Sequence, residues 1–318
     1  MTFTSNIGGD GTIRRPSLTV PPRDTHKYRR GHAVIISGPP LRTGASRLTA
    51  QAALAVGAGL VSIAGECEAL REHAAQVNAI MLREMDAGLS VIDDRVMSVA
   101  IGPGAGVSDA LKATVCRLLA RNIPIVIDAD AMTSFQDDPQ SLFDCLHPQT
   151  ILTPHEGEFR RLFPDIDLKD RVSAAVAAAN RSGAILLLKG PETVVADPHG
   201  MFAINRHSSP WLATAGTGDV LAGICGALLA AGLSPLDAGS VGAWFHGVAG
   251  QRAARPRPRG RAARGDRDGQ GHRPHARGGG RRGDPDRVPG ADPVRWARAG
   301  LHSRRFGTFD PGDAPRTS

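Results

Sequence analysis

Apolar runs of strand length alternate along this chain with small-residue and amphipathic stretches of helical length. Residues 32–37 (HAVIIS) read as a buried strand, followed by a Gly38-Pro39-Pro40 turn and a small-residue helix over 45–56. Further strand-length apolar runs fall at 60–64, 96–101, 124–128, 150–153 and 185–189, with helices fitting between most of them. Segments 193–196 and 201–204 flank Asp197-Pro198-His199-Gly200 and read as a hairpin. Two helices, 220–231 and 235–253, follow across Gly232-Leu233-Ser234, with Ser234 a candidate N-cap ahead of Pro235. This alternation predicts an α/β fold whose mostly parallel central sheet is flanked by helices on both faces.

Charge divides the chain unevenly. From Gln251 onward it holds 17 Arg, no Lys, 7 Asp and no Glu, a net of +10 against +7 for the whole, so residues 1–250 carry −3. The basic total is therefore no argument that the folded part binds nucleic acid. Residues 255–318 contain a single leucine, Leu301, and no isoleucine, and are built from Arg, Gly, Pro, Ala and Asp. Such a composition predicts a disordered tail, and the abrupt switch reads as translation in a shifted frame. An RNA-binding arm is the other reading of it, although few aromatic residues, Trp296 and Phe306 among them, interleave the arginines. The expected organisation is an extension over 1–25, one domain over 26–254 and the tail over 255–318. The N-terminal segment is polar and Pro-rich, and no run reaches the roughly 20 apolar residues of a membrane span, so a cytoplasmic protein is expected. Cys67, Cys116, Cys145 and Cys225 are widely spaced and read as free buried thiols.

Polar and glycine-rich motifs follow the strands, at the edge where open parallel sheets bind ligands. Ala213-Thr214-Ala215-Gly216-Thr217-Gly218-Asp219 opens the helix over 220–231. Gly216, Thr217 and Gly218 form a candidate anion hole, because glycines admit close approach and a helix start presents unpaired N–H groups and a positive dipole end. Asp219 is the candidate base beside it; the same carboxylate would also favour the helix start without any chemistry. Ile101-Gly102-Pro103-Gly104 follows another strand, as a ligand turn or a plain strand-to-helix connection. Asp128-Ala129-Asp130 offers a carboxylate for a substrate hydroxyl or for Mg²⁺ held through water, or else an N-cap. Thr153-Pro154-His155-Glu156-Gly157-Glu158 offers a ligand-facing His155 or a polar helix start. Lys189-Gly190-Pro191-Glu192-Thr193 places a compact cation suited to phosphate. No GxxxxGK[ST] loop occurs.

In order and spacing, these motifs resemble the ADP- or ATP-dependent NAD(P)H-hydrate dehydratases of the ribokinase-like superfamily, over roughly residues 26–253. The GTGD turn is common to the superfamily, whereas the Thr-Pro-His-x-Gly-Glu run at 153–158 and the His-Gly-x-Ala-Gly run at 246–250 point to this family. The resemblance implies a ribokinase-like fold and a lyase that restores NADH and NADPH from their hydrates, NADHX and NADPHX, using ADP (or ATP) with Mg²⁺. It implies substrate contacts at Ala45, Gly104, His155 and Asp219, with Asp219 as the base. On the nucleotide side it implies Lys189, Gly190, Pro191, Glu192, Thr193 and Gly218, and no direct protein ligand to the metal. A separate epimerase and self-association into a homo-oligomer are the implied partners. Tyr28 replaces the family's usual glycine, Thr43-Gly44-Ala45-Ser46 replaces SGAA, and nothing after residue 254 resembles the family's closing segment. A ribokinase-like kinase of a small vitamin precursor, and an inactive member altered at its C-terminus, are the alternative readings.

Overall fold

A computed structural model describes residues 2–253; the expectations placed on residues 255–318 lie outside the described residues. Two short strands, β1 (Thr2–Thr4) and β2 (Ser17–Thr19), pair antiparallel. Then come β3 (His32–Ile36), α1 (Gly44–Val56), β4 (Leu60–Gly65), α2 (Cys67–Ala74), β5 (Met81–Glu84), β6 (Ser98–Ile101) and α3 (Asp109–Leu119). The middle of the chain forms β7 (Ile125–Ile127), α4 (Asp130–Thr133), α5 (Pro139–Phe143), β8 (Thr150–Leu152), α6 (Glu156–Leu162), α7 (Arg171–Ser182) and β9 (Ile185–Leu188). The hairpin β10 (Thr193–Ala196) and β11 (Phe202–Asn205) precedes α8 (Thr217–Ala230) and α9 (Pro235–Ala253).

Nine strands make one sheet in the order β11-β10-β9-β8-β7-β6-β3-β4-β5, parallel from β9 through to β5 and antiparallel across the hairpin at the other edge. The chain runs outward from β3 to β5, then returns to β6 on the other side of β3. That reversal is a topological switch point, where the carboxyl ends of neighbouring strands splay and leave a crevice for ligand. Side chains alternate strictly between the two faces, as a pleated strand requires. Val99, Ile101, Ile125, Ile127, Leu186 and Leu188 pack with α3, α4, α6 and α7, whereas Ala100, Val126 and Leu187 pack with α1, α8 and α9. Because both faces are covered, the strands read as continuous apolar runs rather than alternating ones. Phe3 and Ile13, from the segment read as an extension, are buried in the second of these layers, and Ile13 N donates to Ile204 O at 2.8 Å.

The pairing of α1 with α8 depends on one glycine. A Cβ at Gly223 would lie 2.1 Å from the Thr49 carbonyl oxygen, so the helices approach at backbone distance. Gly223→Ala forces them apart inside a packed layer and is expected to cost about 3 kcal/mol, lowering Tm by roughly 10 °C in a thermal melt. Ser234 does cap α9: its Oγ accepts from Asp237 N at 3.2 Å.

Candidate functional site

Three adjacent strands deliver charge to one point. Asp128 follows β7, Thr153 follows β8 and Lys189 follows β9, in register along the carboxyl edge. Lys189 Nζ donates to Asp128 Oδ1 at 2.8 Å and lies 3.7 Å from Glu158 Oε2. Thr153 Oγ1 donates to the same Asp128 oxygen at 2.8 Å. Asp128 is 1% exposed, so its charge is sustained by these partners. Burial alone depresses an ammonium, but Asp128, Glu158 and Asp219 together outweigh it and hold Lys189 above its ordinary value.

Asp219 approaches from the other side, in the first turn of α8. Burial pushes its carboxyl up to about 6; Asp128 adds to the rise, Lys189 opposes it and Asp130 contributes least. The turn that presents it is fixed by Gly216, the N-cap, whose φ of 88° suits glycine alone at little cost. Thr217 Oγ1 locks it by donating to the carbonyls of Leu212 at 2.7 Å and Thr214 at 2.9 Å. The first backward helix bond is Val220 N to Gly216 O at 3.2 Å, and Thr217 N already donates to Thr214 O at 3.4 Å. The amides of Gly218 and Asp219 therefore precede the intrahelical ladder and carry the anion-binding potential of this helix start. A Cβ on Gly218 would sit 3.5 Å from Lys189 Nζ, which places that amide at the mouth of the charged cluster.

A cavity of about 620 Å³ opens beside this cluster, lined by His155, Lys189, Gly190, Pro191, Thr193 and Gly218 among others. Leu212, Ala213 and Leu221 supply apolar wall, and Asn205 and His246 supply polar atoms. Glu192 is not part of the lining; it pairs outward with Arg206 at 3.2 Å. His155 caps a helix and also lines the cavity. Its Nδ1 accepts from Gly157 N and Glu158 N as the N-cap of α6, while Glu158 Oε2 accepts from His155 N at 2.8 Å, and the ring still faces the cavity.

Ala45 and Gly104 meet elsewhere along the same edge, at the switch point: a Cβ on Gly104 would lie 3.1 Å from the Ala45 Cβ. The two regions are joined by the Asp128-Ala129-Asp130 turn. Asp130 Oδ2 accepts from Gly106 N at 2.7 Å, tying that turn to the glycine loop after β6. Asp128 does not cap α4; the N-cap is Ala129, with no side-chain cap bond. Ala129 adopts φ 48° and ψ −120°, a conformation costly for any residue with a Cβ, and strain of this kind is held where surrounding contacts over-determine the backbone.

Sequence reasoning assigned no role to three groups. His246 is half-buried in the cavity wall, its imidazole pushed down to about 4 by desolvation against an opposing hydrogen bond with the Thr217 backbone, and its Nε2 has no partner among the described residues. Thr153 orients Asp128. Arg171 donates to the carbonyls of Lys189 at 3.0 Å and Leu188 at 3.4 Å, gripping the strand end that carries the lysine. The His-Gly-x-Ala-Gly run that includes His246 marks the family resemblance, but nothing in its spacing reveals which helix face meets the cavity.

The crossover topology, the glycine turn opening α8 and the carboxylate beside it define a ribokinase-like α/β protein. A crystal structure of a ribokinase-like superfamily protein from Enterococcus faecalis superposes with a TM-score of 0.64 at 24% identity, covering 73% of this chain and 83% of that one. The ADP/ATP-dependent NAD(P)H-hydrate dehydratase of Bacillus subtilis, co-crystallised with ATP and Mg²⁺, superposes with a TM-score of 0.64 at 26% identity, covering 73% of this chain and 84% of that chain. The bifunctional NAD(P)H-hydrate repair enzyme Nnr of Moorella thermoacetica is 40% identical over 248 residues, which are 73% of this chain and 47% of that protein. Its Synechocystis counterpart is 38% identical over 247 residues, 74% of this chain and 47% of that protein. The family model for NAD(P)H-hydrate dehydratase matches residues 33–264, and the chain belongs to that family. It spans about half the length of the curated relatives it matches. No helix among the described residues is long and apolar enough to cross a membrane.

Proposed function

We propose that this protein is an ADP-dependent (S)-NAD(P)H-hydrate dehydratase, with ATP as the alternative donor, and that residues 26–254 carry the activity. The observation that carries the reading is Asp219: a partly desolvated carboxylate in the first turn of α8, next to free helix amides and a lysine-centred charge cluster. Hydroxide leaves carbon poorly, so removal of water from the hydrated ring is driven by first moving a phosphoryl group onto the ring hydroxyl. Asp219 takes the hydroxyl proton as the oxygen attacks phosphorus, and the Gly218 and Asp219 amides meet the charge on the transferring group. The ring nitrogen lone pair then expels phosphate, and loss of a neighbouring ring proton restores the double bond.

The residues present fit a nucleotide. A cavity of about 620 Å³ suits a ligand of that size, its Pro191, Leu212 and Leu221 wall suits a base, and Lys189 and Gly218 stand at its phosphate end. No group of three His, Cys, Asp or Glu is placed to hold a metal among the described residues. Asp128 and Asp219 are instead the carboxylates that would hold Mg²⁺ through water, and the ion would supply charge neutralisation for phosphoryl transfer. Ala45 and Gly104 at the switch point, with His155 and Asp219, are assigned to the hydrated dinucleotide. An NAD(P)H-hydrate epimerase supplying the S epimer, and a second copy of this chain, complete the proposed partners.

The kinase alternative differs in product. Dehydration releases one orthophosphate for each NADH formed and leaves no stable phosphorylated compound; a persistent phosphate ester of a small alcohol would overturn the proposal. A base with its carboxyl near 6 further sets the pH profile. The kcat/KM of the dehydration is expected to rise about tenfold per pH unit below 6 and to level off above it, and a flat profile across that range would remove Asp219 as the base.

A further inference from the structure

Two of the cysteines read as isolated are neighbours. Cys116 lies in α3 and Cys145 just past α5, and their Sγ atoms are 2.8 Å apart. Both are half-buried, and both pack against the apolar layer formed with α3 and α6. Of the other two, Cys67 is exposed, contrary to expectation, and Cys225 is fully buried in α8. The separation exceeds a disulfide bond of roughly 2.0 Å by less than 1 Å.

We propose that Cys116 and Cys145 form a reversible disulfide that staples the segment carrying Asp128 and Asp130. The ring it closes spans 116–145 and contains β7, the strained Ala129 turn and α4. That segment is already tied to the loop ahead of α3 by Gly106 N to Asp130 Oδ2, and by Ser108 N donating to Ser134 Oγ at 3.3 Å. A covalent link at the far end of α3 completes the bracket. The oxidant is a low-molecular-weight disulfide. One protein thiolate attacks a reagent sulfur and breaks its S–S bond, releasing one reagent thiol and leaving a mixed disulfide. The second protein thiolate then attacks the protein sulfur of that mixed disulfide and releases the second reagent thiol. The protein loses two protons and two electrons, and the reagent gains both. Burial and the hydrogen bond with Cys145 push the Cys116 thiol up to about 12, which keeps its thiolate fraction small and slows its own attack.

The test uses the full chain with Cys67→Ser, which removes the exposed competitor, incubated with oxidised glutathione, alkylated and digested without reduction. The expected result is a peptide pair joined through Cys116 and Cys145, and a Tm roughly 5–15 °C above the reduced protein that returns to baseline with dithiothreitol. Cys116→Ser and Cys145→Ser, each folded by its own melt, are expected to show neither change. Glutathione retained as a stable adduct on either cysteine, or both thiols still open to alkylation in the folded oxidised protein, would overturn the pair. A joined peptide with Tm unmoved would overturn the staple.

Discussion

Asp219→Asn is expected to lower kcat about 10³-fold while raising, not lowering, the melting temperature. The isostere keeps the hydrogen-bonding shape of the side chain but accepts no proton from the substrate hydroxyl. The stability gain follows from the environment that makes the carboxylate a base. Its pKa in the folded protein is about 6 against an ordinary 3.8, so the protonated form is the one the fold favours. That contribution is fully present below 3.8 and is lost as pH rises through about 6, leaving a penalty of at most about 3 kcal/mol at neutral pH. Asparagine removes the penalty, so a Tm higher by several degrees at pH 7, and close to wild type at pH 4, accompanies the lost turnover. A variant that is inactive and melts lower has lost its fold, and in that case says nothing about proton transfer.

Lys189→Met is expected to have the largest effect on stability. It leaves Asp128, 1% exposed, and Glu158, 6% exposed, as buried carboxylates with no counter-charge. Breaking a buried pair by removing one partner costs about 3–5 kcal/mol, which lowers Tm by roughly 10 °C in a domain of this size. The folded-state value of Lys189 lies above 10.5, so its contribution is complete at neutral pH and is lost as pH rises through that higher value. The gap between wild type and variant in chemical denaturation is therefore constant from pH 7 to 9 and narrows in stronger alkali. The same substitution removes the cation at the phosphate end of the cavity, and raises the KM for nucleotide in whatever protein remains folded.

The sheet was readable because its strands are covered on both faces, and short apolar runs such as 32–37 and 185–189 leave little else to form. β5 escaped notice for the opposite reason. It is an edge strand of Met81, Leu82, Arg83 and Glu84 with its ends exposed, so no apolar run marks it. The burial of Ile13 accompanies a backbone contact with Ile204 nearly two hundred residues away, which no local pattern carries.

In the site, the motif positions at strand ends were legible, but the hydrogen bonds among them were not. Lys189 reads in sequence as a phosphate cation; in the fold it is bonded to Asp128 and near Glu158, so it also neutralises a buried cluster. Asp128 reads equally well as a cap, and only the position of Ala129 at the start of α4 decides against it. The proximity of Cys116 and Cys145 arises where α3 and the turn after α5 pack against the same apolar layer, and their spacing in sequence says nothing of it.

The most direct test of the central claim follows NADH absorbance when the purified full chain receives NADHX and Mg²⁺, first without nucleotide and then with ADP or ATP added. The account predicts no recovery until nucleotide is supplied, then NADH formation that ceases in Asp219→Asn. Recovery independent of nucleotide, or none at all from a protein with a cooperative thermal transition, would contradict it.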